Sequence, residues 1–554
     1  MSDRTELVKA AQYHYDIGSL DFALTILNAA LTKNSQDVDA SKLMGYIFIA
    51  KGNKSKAIEL FENTLQGGLR TTEVFYQLGA LYLDSNRVEL AIETFLTGLS
   101  ELGSSFEIEH DLGVAYAKLK QYESAGKHFE AARSINPSSE ELFFNIGRMF
   151  DALKQHSNAL ASYQKAIAID PNYAQAWYNQ GAALHDLGRY DEALASYDRA
   201  IEIYPAYAQA WSNKGVTFSS LGDQQKALEF FQKSLSIDAN YADAGWNLSL
   251  IYLLFGNFHD GWKTHECRWI KEDPHPYLHS ERPQLNSLDD VAGKRILVWA
   301  EQGYGDTIHF CRFAPLLADL GATVVFEVQP PLVELINSLR NCHVIPRGQV
   351  APNIDYQIPL LSLPGLLGAN LNSIPAITPY LQVSDIKVSQ WKQRLQLSSS
   401  QLNVGIACSG NMHHQNDVNR SMPLSTFAPL LADKRLNIFL VQKDLRQEDK
   451  VFYEQAGNLQ FLGESIRDFE DSAAIVQNLD IIISVDTSLV HLAGALGKEV
   501  LVLLPWVAEW RWLMDRKDSP WYPTATLIRQ PNPGNWSAVI EAVGQLLSKK
   551  DLGV

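Results

Sequence analysis

The sequence predicts two structural parts: an N-terminal α-solenoid, then a C-terminal α/β region of two doubly wound lobes. Two observations carry this prediction. A 34-residue pattern recurs through the first half of the 554-residue chain, as expected for stacked helical hairpins. From Lys294 onward, short apolar runs of strand type alternate with amphipathic stretches of helix length, an order typical of parallel sheets covered by helices.

The repeat is defined by two small positions and one large apolar position in each unit. The first small residue recurs every 34 residues, at Ala11, Gly45, Gly79, Gly113, Gly147, Gly181, Gly215 and Ser249. Small residues let the two helices of a hairpin approach closely, and large residues fill the gap to the next hairpin. The pattern resembles the tetratricopeptide repeat (TPR), through the order Trp177, Gly181, Leu187, Gly188, Tyr190, Ala193, Tyr197, Ala200 and Pro205.

The pattern predicts a solenoid of about eight repeats, or about sixteen helices, over residues 1–272. Residues 273–293 are proline-rich at their start and lack periodicity, so they are predicted to form a linker. The two lobes are predicted at 294–390 and 391–554. Because such solenoids offer a long concave groove to extended peptides, we expect a protein or peptide partner; self-association of the repeats stays open.

Composition narrows the class of protein. The net charge of −16 argues against nucleic-acid binding and against an anionic membrane surface, because phosphate binding needs a basic face. The charged N-terminus has no signal-peptide core, and no apolar run is long enough to span a bilayer, so a cytoplasmic protein is expected. The four cysteines have no paired spacing, which favours free thiols.

Six strands and five helices are predicted in the C-terminal half. The strands are Arg295–Ala300, Thr323–Val328, Asn403–Ala407, Ile438–Val441, Asp480–Val485 and Glu499–Leu504. The helices are Asp306–Leu320, Leu332–Leu339, Leu424–Ala432, Asp471–Gln477 and Ser488–Leu496. A further polar helix is expected between Val383 and Gln401.

The first candidate site is the loop from Trp299 to Ile308, which follows a predicted strand and opens a predicted helix. Gly303 and Gly305 free the backbone to turn tightly, and a helix N-terminus offers N–H groups to an anion. Strand-to-helix loops of open sheets line the ligand crevice, so this loop is a candidate donor-binding element. The alternative is that Asp306 only caps its helix.

The second candidate site lies where a buried strand ends and a helix begins. Asp486, Thr487 and Ser488 follow the strand, and His491 stands in the first turn of the helix. Small polar groups in front of a helix N-terminus form a cradle for a diphosphate or a ribose. The alternative is an ordinary helix cap with one core histidine.

The third candidate site is the long polar loop within Ile406–Leu424. Arg420 in this loop and Lys443 after the next strand are candidates to neutralise a phosphate, with exposed, solvated cations as the alternative. The adjacent His413 and His414 are not accompanied by the carboxylate or cysteine ligands that a zinc site needs, so no metal is expected.

Four tryptophans lie close together near the C-terminus. They are Trp506, Trp510, Trp512 and Trp521. Large aromatic side chains so concentrated favour packing in the core or between the lobes, and stacking against a sugar or base is the minor alternative.

Four short motifs taken together resemble one group of proteins. The motifs are Glu301–Asp306, Asp486–His491, Gly494–Gly497 and Trp521–Pro523. They are similar to those of bacterial TPR proteins whose C-terminal half is a glycosyltransferase related to the ADP-heptose heptosyltransferases. The resemblance implies the two-lobed GT-B fold, with an acceptor-side Rossmann-like lobe at 294–390 and a nucleotide-sugar-side lobe at 391–554.

The resemblance also implies roles for individual residues. Asp306 matches the catalytic base of the family, and Arg420 matches its second-lobe basic residue. The family residues that hold the donor diphosphate match Asp486, Thr487 and His491. Ser488 stands where the family has glycine. The family uses no metal, so a nucleotide-sugar is expected as substrate and no cofactor is expected.

The implied activity is transfer of a sugar from a nucleotide donor to a hydroxyl group. A carboxylate removes the acceptor proton, while N–H groups and cations stabilise the departing diphosphate. Fusion to a peptide-binding solenoid suggests a polypeptide acceptor. The alternative is a non-enzymatic TPR scaffold with a degenerate transferase domain, in which Asp306 and Asp486 would not share a cleft.

Overall fold

The computed structural model describes residues 2–274, 276–289, 291–414, 416–457 and 459–549. His275 and Asp290 of the predicted linker, Gln415 of the polar loop, Met1, Asn458 and residues 550–554 lie outside the described residues. The chain divides into two compact units, an N-terminal unit that ends at Asn213 and a C-terminal unit that starts at Lys214.

Helical hairpins build the N-terminal unit. Its helices are α1 (Ser2–Asp16), α2 (Leu20–Lys33), α3 (Val38–Ala50), α4 (Lys54–Gln66), α5 (Thr72–Asp84), α6 (Val88–Leu102), α7 (Phe106–Lys118), α8 (Tyr122–Ile135), α9 (Glu140–Ala152), α10 (His156–Ile169), α11 (Ala174–Asp186) and α12 (Tyr190–Ile203). Helix α13 (Ala208–Ser220) crosses the boundary between the units. The predicted period of two helices per repeat is confirmed.

Close contact between glycine and an aromatic ring sets the packing inside each hairpin. A Cβ atom at Gly181 of α11 would lie 2.6 Å from the ring of Tyr197 in α12. The same contact occurs between Gly79 and Phe95, where the distance would be 2.2 Å. Any side chain at these positions would push the two helices apart, so the 34-residue spacing of glycine follows from hairpin geometry.

The C-terminal unit holds the last repeat helices and both sheets. Its helices are α14 (Gln224–Ile237), α15 (Ala242–Leu254), α16 (Phe258–His265), α17 (Tyr304–Phe310), α18 (Ala314–Asp319), α19 (Val333–Ile336), α20 (Leu363–Leu366), α21 (Asp385–Arg394), α22 (Asp417–Arg420), α23 (Ala428–Leu431), α24 (Gln447–Gln455), α25 (Phe469–Asn478), α26 (Ser488–Ala495) and α27 (Trp536–Ser548). Its strands are β1 (Arg295–Trp299), β2 (Thr323–Val328), β3 (Cys342–Pro346), β4 (Tyr356–Pro359), β5 (Leu402–Ala407), β6 (Leu436–Leu440), β7 (Leu459–Phe461), β8 (Ile481–Val485), β9 (Val500–Leu504) and β10 (Ala525–Arg529).

Two parallel sheets form the α/β part. Sheet A has the strand order β3-β2-β1-β4, and sheet B has the order β10-β9-β8-β5-β6-β7. In sheet A, Val298 of β1 pairs with Phe326 and Ile358 on its two sides. Every residue of β8 and β9 is buried, as expected where helices cover both faces of a parallel sheet. The predicted α/β architecture is confirmed at this level.

Each sheet has one point where the strand order reverses direction. In sheet A the reversal lies between β1 and β4, and in sheet B it lies between β5 and β8. Ligands of open α/β sheets bind at the carboxyl ends of the strands at this point. The loops that follow β1, β5 and β8 are the three that the sequence singles out.

The division between the compact units differs from the predicted domain boundary at residue 272. The C-terminal unit begins at Lys214, so α14, α15 and α16 belong to the same unit as the sheets. The physical reason is burial, since Phe258 and Trp262 of α16 lie in one hydrophobic cluster with residues of both sheets.

Replacing Gly181 by alanine should lower the free energy of unfolding by about 1–3 kcal/mol, because the new methyl group meets the buried Tyr197 ring. Gly126 of α8 is the matched control, because a Cβ atom there would meet no atom within 4 Å. Gly126→Ala should therefore stabilise by about 0.5–1 kcal/mol through helix propensity. Urea unfolding monitored by circular dichroism measures both changes, and equal effects would contradict this packing.

Candidate functional site

An aromatic cluster joins the last repeat helix to both sheets. The rings of Phe258 and Trp521 stack 5.8 Å apart, and Trp262 lies 5.4 Å from Trp510 and 6.1 Å from Phe310. We call these five residues the aromatic junction. Three of the four C-terminal tryptophans, Trp510, Trp512 and Trp521, are buried, so the prediction of packing is confirmed for them, whereas Trp506 is exposed.

A buried ion pair holds the loop after β1 to the end of the repeats. The Nε and Nη2 atoms of Arg268 donate to the two carboxylate oxygens of Glu301, at 2.9 and 3.1 Å. Both side chains are about 2% exposed. Glu301 also accepts from the backbone N–H of Leu361, and Arg268 also donates to Ser362. The first residue of the Glu301–Asp306 motif is therefore a structural anchor.

Helix α17, which follows that loop, packs directly against α26 of sheet B. A Cβ atom at Gly305 would lie 3.1 Å from the ring of His491 and 3.5 Å from the Cα of Ser488. Gly305 therefore permits two helices to approach, rather than a tight turn. Gly303 has an extended φ of −83°, and the left-handed conformation in this loop belongs to Gln302, with φ 58°. The predicted turn-forming role of the two glycines is wrong.

The carboxylate of Asp306 accepts one hydrogen bond from its own loop, which follows β1 of sheet A, and one from a residue that follows a strand of sheet B. Its Oδ2 accepts from the backbone N–H of Gly303 at 3.0 Å, which caps α17. Its Oδ1 accepts from Nη2 of Arg511, a residue that follows β9 of sheet B. Asp306 is thus both a helix cap, as the alternative had it, and part of an ion pair between the sheet A side and the sheet B side. We call the boundary between these two sides, where α17 packs against α26, the cleft.

Asp486 lies on the sheet B side of the same cleft. Its Oδ2 accepts from the indole N–H of Trp512 at 2.8 Å, and its carbonyl oxygen accepts from Arg420 at 3.3 Å. Burial raises the pKa of the Asp486 carboxyl, and the Trp512 bond with the charges of Arg511 and Arg420 opposes that rise. The arrangement places two guanidinium groups close to one carboxylate at the strand-order reversal of sheet B.

Two buried histidines share one tyrosine hydroxyl beneath the cleft. The Nδ1 atoms of His309 and His491 lie 2.8 and 3.0 Å from the Tyr522 hydroxyl oxygen. Burial lowers the pKa of both rings well below the ordinary value, so both are neutral at neutral pH. The hydroxyl donates to at most one of them, so at least one ring carries its proton on Nδ1. His491 also stacks on Trp512, with ring centroids 5.6 Å apart.

The other predicted donor-binding residues divide into two groups. Thr487 is the N-cap of α26 and accepts from the N–H of Leu489 at 3.3 Å, and Ser488 begins that helix, so both lie beside Asp486. Lys443 lies apart from them, beyond β6, two strands away from β8. Its Nζ donates to the carbonyl oxygens of Gly463 and Ile466, which explains its position without a phosphate.

The structure therefore brings Asp306, Arg420, Asp486 and His491 to one cleft, together with Gly305. Sequence reasoning missed Arg511, which connects the two sides, and Tyr522, which orients the histidines. Arg511 stands in a tryptophan-rich segment whose composition indicates packing. The Trp521–Pro523 motif was the only signal that pointed toward Tyr522.

The polar loop after β5 also approaches the cleft. Burial and the positive charge of Arg420 lower the pKa of His414, and the negative charge of Asp306 opposes this. Two guanidinium groups and two carboxylates thus lie near the N-terminus of the eight-residue helix α26. Such a set is suited to an anionic ligand beside a group that accepts a proton.

Comparison with known proteins identifies the repeats. Family models described as tetratricopeptide repeat or TPR repeat match residues 8–68, 110–139, 147–188 and 172–240. The N-terminal half consists of tetratricopeptide repeats. Such repeats typically mediate protein–protein interaction, and they indicate a protein-binding scaffold.

One curated relative is Protein FlbA of Caulobacter vibrioides, which is 23% identical over 328 residues. The match covers 54% of each protein, so the chain spans about half the length of this relative. A tetratricopeptide repeat protein from Parabacteroides merdae matches with 18% identity and a TM-score of 0.38, over 45% of this chain and 99% of its own. The C-terminal part of a TPR protein from Cytophaga hutchinsonii matches with 14% identity and a TM-score of 0.36, over 44% of this chain and 99% of its own.

Two negative findings apply to the part of the chain that the structure describes. It contains no helix with the length and apolar character that crossing a membrane requires. It also contains no group of three or more His, Cys, Asp or Glu side chains arranged to hold a metal ion.

Replacing Arg268 by methionine should lower the free energy of unfolding by about 3–5 kcal/mol, because Glu301 would remain buried without its partner. Arg340→Met is the matched control, since Arg340 pairs with Asp319 at the surface, where loss of a pair costs less than about 1 kcal/mol. Chemical denaturation measures both. Similar losses in the two variants would show that the Arg268–Glu301 pair is not a structural anchor.

Proposed function

We propose that the chain is a metal-independent glycosyltransferase of the GT-B, heptosyltransferase-like type. It moves a sugar from a nucleotide-sugar to a hydroxyl group of a protein that the repeats bind. One observation carries the proposal: Asp306, at the strand-order reversal of sheet A, is paired with Arg511 on the sheet B side, where Arg420 is bonded to Asp486. The cleft between two parallel sheets is where a fold of this type binds both substrates.

The sheet B side supplies groups that suit the donor. Arg420 and the N-terminus of α26 lie at the reversal of strand order, where a diphosphate would find N–H donors and positive charge. His491 is held neutral by burial and oriented through Tyr522, so it serves as a hydrogen-bonding group rather than as a cation. These groups stabilise the charge that the leaving diphosphate gains.

The sheet A side supplies the base. Asp306 takes the proton from the acceptor hydroxyl, and the acceptor oxygen forms a bond to the anomeric carbon. The bond from that carbon to the diphosphate oxygen breaks, and its electron pair leaves with the nucleoside diphosphate. The carboxyl group then returns its proton to water. Arginine side chains supply the positive charge that a metal ion supplies in other transferases.

The repeats supply the acceptor in this proposal. The Arg268–Glu301 pair and the aromatic junction fix the last repeat helices to the loop that carries Asp306. A polypeptide bound at the last repeat helices, which belong to the same unit as this loop, would therefore lie near the base. A scaffold without enzymatic activity is the second candidate, and the bond from Gly303 to Asp306 favours it, because helix capping alone would explain the aspartate.

Asp306→Asn should lower the rate of sugar transfer by about two to four orders of magnitude, the usual contribution of a positioned base. Its donor affinity should not weaken, and its fold should persist, because asparagine still caps a helix. The rate is measured as nucleoside diphosphate released from the donor that the wild-type chain uses. Asp223→Asn, at the N-cap of α14, is the control and should transfer at the wild-type rate. Wild-type transfer by Asp306→Asn would make Asp306 only a helix cap.

Arg420 and Lys443, the two cations that the sequence proposes as phosphate ligands, should differ in their effect on donor affinity. Arg420→Ala and Asp486→Ala should each weaken nucleotide binding by about 1–3 kcal/mol, the range for hydrogen bonds of charged groups. Lys443→Ala should change the affinity by less than about 0.5 kcal/mol, because its ammonium is bound to carbonyl groups two strands away. Isothermal titration calorimetry measures these values, and a large loss in Lys443→Ala alone would move the donor site.

A further inference from the structure

Arg511 is a cation held between two carboxylates. It lies in a short turn after β9 and is 7% exposed. Its Nη2 donates to Asp306 and its Nη1 donates to Glu509. The guanidinium plane lies 4.5 Å from the Trp510 ring centroid and 5.3 Å from that of Phe310. The aromatic junction therefore fixes this cation in the cleft.

The hydrogen-bonding capacity of Arg511 is not used up. Its Nε atom is buried and has no hydrogen-bond partner among the described residues. An arginine fork matches the oxygens of a phosphate group better than a lysine does, and it binds two of them at once. Its positive charge also opposes the rise in the pKa of Asp486.

The contact with Asp306 conflicts with the role of that carboxylate as a base. Its Oδ1 already accepts from Arg511 and its Oδ2 accepts from the N–H of Gly303, so both carboxylate oxygens are engaged. A general base must itself accept the hydrogen bond of the hydroxyl group that it deprotonates. We therefore expect Asp306 to exchange its bond to Arg511 for one to the acceptor hydroxyl.

We infer, on the basis of the proposed function, that Arg511 binds the donor diphosphate and that the diphosphate replaces Asp306 as its partner. Diphosphate oxygens accept the N–H groups that Nη2 and Nε present, while Glu509 keeps Nη1 and so holds the side chain in place. Asp306, released from the ion pair, becomes the base for the acceptor hydroxyl. Donor binding thus precedes proton transfer, and a bound acceptor alone is not activated.

Titration of the full-length chain with inorganic pyrophosphate tests this exchange. Arg511→Gln should weaken pyrophosphate binding about tenfold to a hundredfold. Asp306→Asn should strengthen binding about threefold or more, because the competing carboxylate charge is removed. In the double variant, which carries both substitutions, pyrophosphate should bind no more tightly than in Arg511→Gln alone. The reason is that Asp306 competes with pyrophosphate for Arg511. Arg516→Gln, which removes a cation paired with Asp518 at the surface, should bind as the wild type does.

Three outcomes would contradict the inference. If pyrophosphate binds and Arg511→Gln binds it equally well, the diphosphate lies elsewhere and the proposed transferase function stands. If Asp306→Asn also strengthens pyrophosphate binding in the Arg511→Gln background, the stronger binding reflects only general charge repulsion. If neither the wild type nor Asp306→Asn binds pyrophosphate, the inference and the proposed donor site both fail. Arg511→Lys keeps the charge and should bind with intermediate affinity, which keeps the test decisive if the glutamine variant does not fold.

Discussion

The aromatic junction is the constraint on which the rest of the C-terminal unit depends. Helix α16, helix α17 and the segment after β9 meet there through Trp262, Phe310 and Trp510. Burying each large ring stabilises the fold by on the order of 4–6 kcal/mol before entropy is counted. The residues that carry chemistry are attached to this cluster, since Asp306 precedes Phe310 in α17 and Arg511 follows Trp510.

A second buried cation strengthens the same region. Arg312 donates to the carbonyl oxygens of His309 and Trp521 and to the Tyr380 hydroxyl, and it lies over the Tyr522 ring. These bonds tie α17 and the turn after it to the segment that contains Tyr522. The two histidines that share the Tyr522 hydroxyl therefore sit on a rigid support, which suits a site that must hold a substrate in one orientation.

The Glu301–Asp306 motif connects the repeats to the cleft within six residues. Its first carboxylate is bound to Arg268 at the end of the repeats, and its last carboxylate faces Arg511. A movement of the last repeat helices would act on this loop directly, because a buried ion pair does not stretch without losing its stabilisation. Within the C-terminal unit, the last repeat helices are therefore tied to the loop that carries the proposed base.

Much of this organisation follows from local pattern. The glycine spacing predicts the hairpins because the Gly181–Tyr197 type of contact recurs in six of the eight repeats. The six predicted strands all occur within two residues of their expected bounds, because apolar residues dominate each of them. The strands β3, β4, β7 and β10 were not predicted. They are three to five residues long, and all four contain polar residues or proline.

The candidate site was only partly predictable for a different reason. Residues that follow the end of a strand are expected to approach the cleft. On this ground the sequence predicts that Asp306, Asp486 and Arg420 lie together. Position after a strand does not indicate where a long side chain points, and Lys443 turns to nearby carbonyl groups. Arg511 depends on contacts 205 residues apart in sequence, which no local pattern reports.

We propose that the cleft binds a nucleotide-sugar. The most direct test is a thermal-shift screen of the full-length chain against ADP-, GDP-, UDP- and CMP-linked sugars. We expect one nucleotide class to raise the melting temperature of the wild type in a concentration-dependent way, and Asp486→Ala to reduce that shift at equal ligand concentration. No shift with any of the four classes, or a shift that Asp486→Ala leaves unchanged, would contradict this proposal.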